Sequence, residues 1–136
     1  MDKIYVDCNI LLDWLIDREP FSIYASRLIT LIENKKIKGY ISPLTLSNTY
    51  YILASSYNKK LAYEFIEDCA RIFTILDVTD HIVRQAISKK HKDFEDDLHY
   101  FTAKMNGISK IITRNKKDFL KGELGIYNAE EYLRRF

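Results

Sequence analysis

The chain has little of what breaks, staples or anchors a fold. Four glycines and two prolines punctuate 136 residues, with no low-complexity linker and no internal repeat. The two cysteines, Cys8 and Cys69, sit in apolar surroundings without a metal-binding or redox spacing. Buried thiols in a reducing compartment are therefore expected. No apolar run approaches the length of a membrane span, and the start Met1-Asp2-Lys3-Ile4 lacks a signal-peptide pattern. A cytoplasmic protein without membrane association is the expectation. The three histidines, His81, His91 and His99, share no ligand spacing. His99 is expected at or near the surface, on a helix side away from the acids considered below. A net charge of +2 is too close to balance to argue for or against nucleic acid. The length fits one domain over residues 1–136, large enough to bury a core unaided.

What is present is an alternation of strand and helix patterns. Lys3-Ile4-Tyr5-Val6 reads as a strand, followed by Asp7 and a helical pattern through Leu11, Leu12 and Leu15. Pro20 opens a second helix with apolar positions Tyr24, Leu28, Leu31 and Ile32. Residues 39–42 read as a second strand, Pro43 opens a helix to about Tyr57, and 60–71 form another. A third strand is expected over 72–76, helices over 79–90 and 93–106, and a fourth strand over 110–113. A short strand near Ile126-Tyr127 and a terminal helix close the chain. This pattern implies a three-layer α/β/α fold with a central, mostly parallel sheet of four to five strands.

The segment Asp93-Phe94-Glu95-Asp96-Asp97 carries the chemistry. At about 100° per residue, Asp93, Asp96 and Asp97 fall within one arc, and Glu95 points away. Phe94, Leu98, Phe101 and Met105 form the neighbouring stripe expected to face the core. Like charges this close repel, and a divalent cation relieves them. In parallel sheets the ligand crevice lies at the carboxyl ends of the strands. That rule gathers Asp7 after strand one, Asn48 after strand two, and Thr113, Arg114, Asn115 and Asp118 at the end of strand four. Several carboxylates without histidine or cysteine ligands suit Mg²⁺ or Mn²⁺. Such a metal activates water and stabilises a departing oxygen in phosphodiester hydrolysis.

Three stretches resemble the PIN domain family: Val6-Asp7-Cys8-Asn9-Ile10-Leu11-Leu12, Asp93-Phe94-Glu95-Asp96-Asp97-Leu98 and Thr113-Arg114-Asn115-Lys116-Lys117-Asp118-Phe119. Residues 13–42, with Arg18-Glu19-Pro20-Phe21 and Lys38-Gly39-Tyr40-Ile41-Ser42, are similar to a bacterial branch of it. The resemblance implies a metal-dependent endoribonuclease, commonly the homodimeric toxin of a toxin–antitoxin pair of the VapC kind. It makes Asp7, Asp96 and Asp118 the catalytic acids, with Asp93 as an auxiliary and Asp97 as a further metal candidate. Asn9, Asn48, Thr113 and Asn115 become supporting residues. Two positions depart from the family pattern. Asn115 stands where many members carry an acid, and Asn48 (or Ser47, one register away) replaces the usual glutamate.

Plainer roles compete at each position. Asp7 and Asp93 are both natural helix N-caps, and acids in a first turn suit the helix dipole. Asn115 and Asp118 are ordinary turn residues. Arg114, with its bidentate fork, and Lys116 are the candidates for gripping RNA phosphate. The alternative to a nuclease is a PIN-like RNA-binding or regulatory module without turnover. A third reading makes Asp7 a phosphoryl-accepting nucleophile, but Asn9 stands where a second acid would be needed.

Overall fold

The computed structural model describes residues 1–136. Five parallel strands are hydrogen-bonded in the order β3-β2-β1-β4-β5. They are β1 (Asp2–Val6), β2 (Ile37–Ile41), β3 (Thr74–Ile75), β4 (Lys110–Ile112) and β5 (Gly125–Tyr127). Helices α1 (Cys8–Leu15) and α2 (Ser22–Glu33) join β1 to β2, and α3 (Pro43–Ser56) and α4 (Lys59–Ile72) join β2 to β3. Helices α5 (Asp80–Lys89) and α6 (Phe94–Met105) lead to β4, and α7 (Ala129–Arg135) follows β5. This is the three-layer α/β/α arrangement implied by the alternation of elements.

Strand periodicity explains why both faces are covered. On β1, Ile4 and Val6 enter one core with Leu28, Ile29 and Ile32 of α2 and Tyr132 of α7. Tyr5, between them, enters the other core with Ile82, Leu98, Phe101 and Ile111. Successive side chains of a strand point to opposite faces, so a strand buried on both sides needs apolar residues at every position. Leu12 of α1 adds a smaller cluster with Leu53 and Ala62, which ties the α3–α4 pair to the first helix.

Several boundaries differ from expectation for local reasons. The second strand runs over Ile37–Ile41, because Ser42 leaves it to form a reciprocal capping box with Thr45 ahead of Pro43. The third strand keeps only Thr74–Ile75, because α4 continues to Ile72 and Phe73 turns into the core. Pro20 precedes α2 instead of opening it; the helix begins at Ser22, whose hydroxyl donates to Glu19 Oε1. On α6 the buried stripe is Leu98, Phe101 and their neighbours, whereas Phe94 and Met105 lie exposed at the two ends.

Gly39 is fixed by a close approach. A Cβ there would stand 2.7 Å from Ile32 Cδ1 and 2.8 Å from two ring atoms of Phe73. Ile32 can turn its terminal methyl aside, but a packed phenyl ring cannot. Gly39→Ala is expected to cost about 1–3 kcal/mol through overpacking, read as a lower denaturant midpoint with an unchanged m-value.

Candidate active site

The chain leaves β1 at its carboxyl end through Asp7, which caps α1. Asp7 Oδ1 accepts from Cys8 N at 2.7 Å, and Oδ2 accepts from Thr113 Oγ1 at 2.8 Å. Asn9 Nδ2 reaches the same Oδ2 at 3.4 Å, while Asn9 Oδ1 accepts from Arg114 N at 3.3 Å. Thr113 Oγ1 also accepts from Asn115 N at 3.0 Å. These bonds stitch the ends of the neighbouring strands β1 and β4 and hold a buried carboxylate at the sheet's edge. Capping and site-building are here the same geometry.

Asp93 likewise caps α6, accepting from Asp96 N at 3.1 Å, and so brings Asp96 to the Asp7 edge. A single 3-10 turn at Lys116–Asp118 brings Asp118 there from the other side. The electrostatics record this convergence. Partial burial pushes the Asp96 carboxyl from 3.8 up to about 7, reinforced by Asp93, Asp7, Asp118 and Glu95. Four further carboxylates around one acid make its charged form unfavourable, as expected where carboxylates share a site.

Glu95 and His99 stand differently from their sequence expectations. Glu95 does not point away: its Oε1 accepts from Asn48 Nδ2 at 2.8 Å, joining α6 to α3. Asn48, and not the exposed Ser47, is therefore the α3 residue that touches the cleft. His99 is buried, with Nδ1 against the Tyr5 hydroxyl and Nε2 facing Asp7 and Glu95. Burial lowers its pKa while Asp7, Glu95 and Asp93 oppose that shift, and the net direction favours a neutral ring. The Glu95–His99 spacing of i, i+4 was the available signal, since such residues are neighbours on a helix.

Three other candidates are directed elsewhere. Asp97 is buried and accepts from His91 N at 3.0 Å, fastening the segment between α5 and α6. One residue after Asp96 it is rotated from it by about 100°, toward the α5 side, where it lines a cavity with Asp93 and Ala86. Arg114 does not project toward solvent phosphate. Its Nε and one terminal nitrogen donate to the two Asp13 oxygens at 2.9 and 3.0 Å, and its guanidinium lies 4.0 Å over Phe21. Lys116 Nζ sits 2.7 Å from both carboxylate oxygens of Glu131. Asn115 is exposed at the turn, without a side-chain capping bond.

No three Asp, Glu, His or Cys side chains are drawn into a closed ligand set. The donors nevertheless fit a hard cation. They are carboxylate oxygens along an open edge, and Mg²⁺ characteristically takes only one or two carboxylates with several waters. The nearby thiol of Cys8 is pushed up to about 12, by burial first and then by Asp7 and Glu95, so it stays protonated.

The PIN domain family model matches residues 3–117, a span that includes Asp7, the α6 acids and Asn115. The chain belongs to the PIN domain family. Among curated relatives, Ribonuclease VapC1 of Aquifex aeolicus is 29% identical over 140 aligned residues, covering 99% of this chain and 96% of the relative. Ribonuclease VapC2 of Methanocaldococcus jannaschii is 32% identical over 127 residues, covering 81% and 83%. Among solved structures, DNA-bound VapBC from Salmonella typhimurium superposes with TM-score 0.73 at 16% identity, over 95% of this chain and 99% of that one. VapC20 of Mycobacterium tuberculosis, a sarcin-ricin loop cleaving toxin, gives TM-score 0.66 at 16% identity, over 79% and 86%. At such identities these structures speak to the PIN fold alone. No helix is long and apolar enough to cross a membrane.

Proposed function

We propose that this PIN domain is a Mg²⁺- or Mn²⁺-dependent endoribonuclease and the toxin of a toxin–antitoxin pair. The observation that carries the reading is the convergence of Asp93, Asp7, Asp118 and Glu95 on Asp96 at the carboxyl edge of the sheet, close enough to raise its carboxyl. The relatives named Ribonuclease VapC1 and VapC2 support the substrate class. Asp7 and Asp96 would hold the cation, with Asp93, Glu95 and Asp118 contributing negative charge. When bound, it supplies an activated water and neutralises charge developing on the phosphodiester. Thr113 and Asn9 keep the Asp7 carboxylate in one orientation.

With Arg114 and Lys116 engaged by acids, contact with the phosphate backbone passes to the basic segment before α6. Lys92 Nζ donates to Lys117 O at 3.0 Å, which sets two lysine-bearing segments side by side next to Asp118. An antitoxin, a homodimer and a cytoplasmic location belong to the same proposal. Exposed Tyr51, Ile52, Tyr57 and Tyr63 on and beside α3 and α4 offer apolar surface to a protein partner.

Purified protein is expected to cleave single-stranded RNA with Mn²⁺ or Mg²⁺ and to stop when a chelator is added. The other reading, an RNA-binding module without turnover, draws on the amides at Asn48 and Asn115 and on the absence of a closed ligand set. RNA binding that ignores the chelator, with no cleavage in either metal, would select it.

A further inference from the structure

His99 is a buried polar side chain aimed into the acidic cleft from its core side. It lies one helical turn after Glu95 and is 1% exposed. Its Nδ1 meets the Tyr5 hydroxyl, which in turn meets Ser42 Oγ at 2.8 Å and Thr45 Oγ1 at 3.3 Å. The ring's Nε2 faces two carboxylates, Asp7 and Glu95, which favours a proton on Nε2 and leaves Nδ1 to accept from Tyr5. Ser42 Oγ accepts from Thr45 N, and Thr45 Oγ1 accepts from Ser42 N. Each hydroxyl keeps a proton that can point at Tyr5, and the two also lie 3.4 Å from each other, so at least one of them is available to the phenol oxygen. The phenol oxygen then accepts, and its one proton is left for His99 Nδ1. A neutral imidazole that accepts at Nδ1 carries its own proton on Nε2.

That Nε2 has no hydrogen-bond partner, yet it stands 3.9 Å from Asp7 Oδ1 and 3.9 Å from Glu95 Oε1. A buried donor left unpaired is costly. Asp7 is already fixed by Cys8 and Thr113. The Glu95 side chain, 48% exposed and held by one hydrogen bond from Asn48, has room to turn toward the ring. We propose that His99, held from behind by Tyr5, is a positioning residue whose Nε2–H donates to Glu95 and seats that carboxylate beside Asp7 and Asp96. Asn48 Nδ2 grips the same carboxylate from α3. The acid edge thereby gains a member whose place is set by the core. Its use in cation binding rests on the nuclease reading; the hydrogen bond itself does not.

Metal-free protein labelled with ¹⁵N-histidine tests the bond directly. His99 is expected as the Nε2–H tautomer, and Glu95→Gln is expected to shift the Nε2 resonance without changing the tautomer. Tyr5→Phe should release Nδ1 and mix the two tautomers. In Mn²⁺ titrations followed by electron paramagnetic resonance, His99→Leu should weaken binding on the order of tenfold. His99→Gln, which can present an amide N–H, should recover most of that loss. His99→Leu should add nothing to Glu95→Gln, because both remove one interaction. An Nδ1–H tautomer, or an Nε2 resonance indifferent to Glu95→Gln, overturns the proposal however tightly Mn²⁺ binds. If His99→Leu does not fold, substitution at the exposed Glu95 still decides the matter. Wild-type protein that binds no Mn²⁺ would defeat the nuclease reading, and the ring nitrogens would still report whether the bond exists.

Discussion

Asp96→Asn is expected to lower RNA cleavage by on the order of a thousandfold, as when a group that organises transition-state charge is removed. The same substitution is expected to make the metal-free protein more stable at alkaline pH. Its carboxyl has a folded-state pKa of about 7 against an ordinary 3.8. Between those values the folded state holds a proton that the unfolded state has released, so stability falls as pH rises through the interval. Below 3.8 the wild-type protein carries none of this cost, and above about 7 it carries all of it. Asn never ionises. Its advantage should therefore be on the order of 1–2 kcal/mol near pH 8.5, after allowing for solvent screening of a partly open carboxylate, and should shrink toward pH 5. Thermal melts in chelator at the two pH values read this directly. An Asp96→Asn protein that is less stable near pH 8.5 would show that the acids do not repel as the geometry implies. Loss of activity together with gain of stability is the expected signature of a functional charge cluster.

The second large effect concerns Arg114, where the sequence suggested a phosphate contact. Asp13 is 1% exposed and lies between two guanidinium groups: Arg18 Nε reaches it at 3.0 Å, and Arg114 grips it bidentately. Removing one partner of a buried pair leaves a charge without compensation and typically costs about 3–5 kcal/mol. Both arginines here are about one-third exposed, and Arg18 would remain beside Asp13. Arg114→Met is therefore expected at the lower end, about 3 kcal/mol, as a fall in denaturant midpoint. The salt dependence of RNA binding by the folded protein should keep its slope, since each lost phosphate contact would reduce that slope by about 1. A reduced slope with unchanged stability would return Arg114 to the RNA surface.

The acid edge was legible because the determinants of its position are local. A strand that ends in a capping Asp, and a helix that begins with one, put Asp7 and Asp96 at one edge once the sheet is known to be parallel. Helical geometry also explains where the reading went astray. An arc drawn around an isolated α6 groups Asp97 with Asp96 but cannot say that α5 lies against the Asp97 side, where His91 N claims the carboxylate. Nor can it say that Asn48, 47 positions earlier, waits on α3 to receive Glu95. The Arg114–Asp13 pair spans 101 positions and leaves no periodic signal. His99 was misplaced for a related reason. Its buried Nδ1 is met by the Tyr5 hydroxyl, and Tyr5 reads in sequence as one more apolar strand residue. Contacts set by cap and period were readable, and those set by which helix packs against which were not.

Mn²⁺ binding to the purified, metal-stripped protein tests the central claim most directly. Titration followed by electron paramagnetic resonance is expected to show saturable binding to the wild-type chain that is lost in both Asp7→Asn and Asp96→Asn. Binding that is equal in all three proteins, or absent from the wild type, would contradict a cation site at the carboxyl edge of β1.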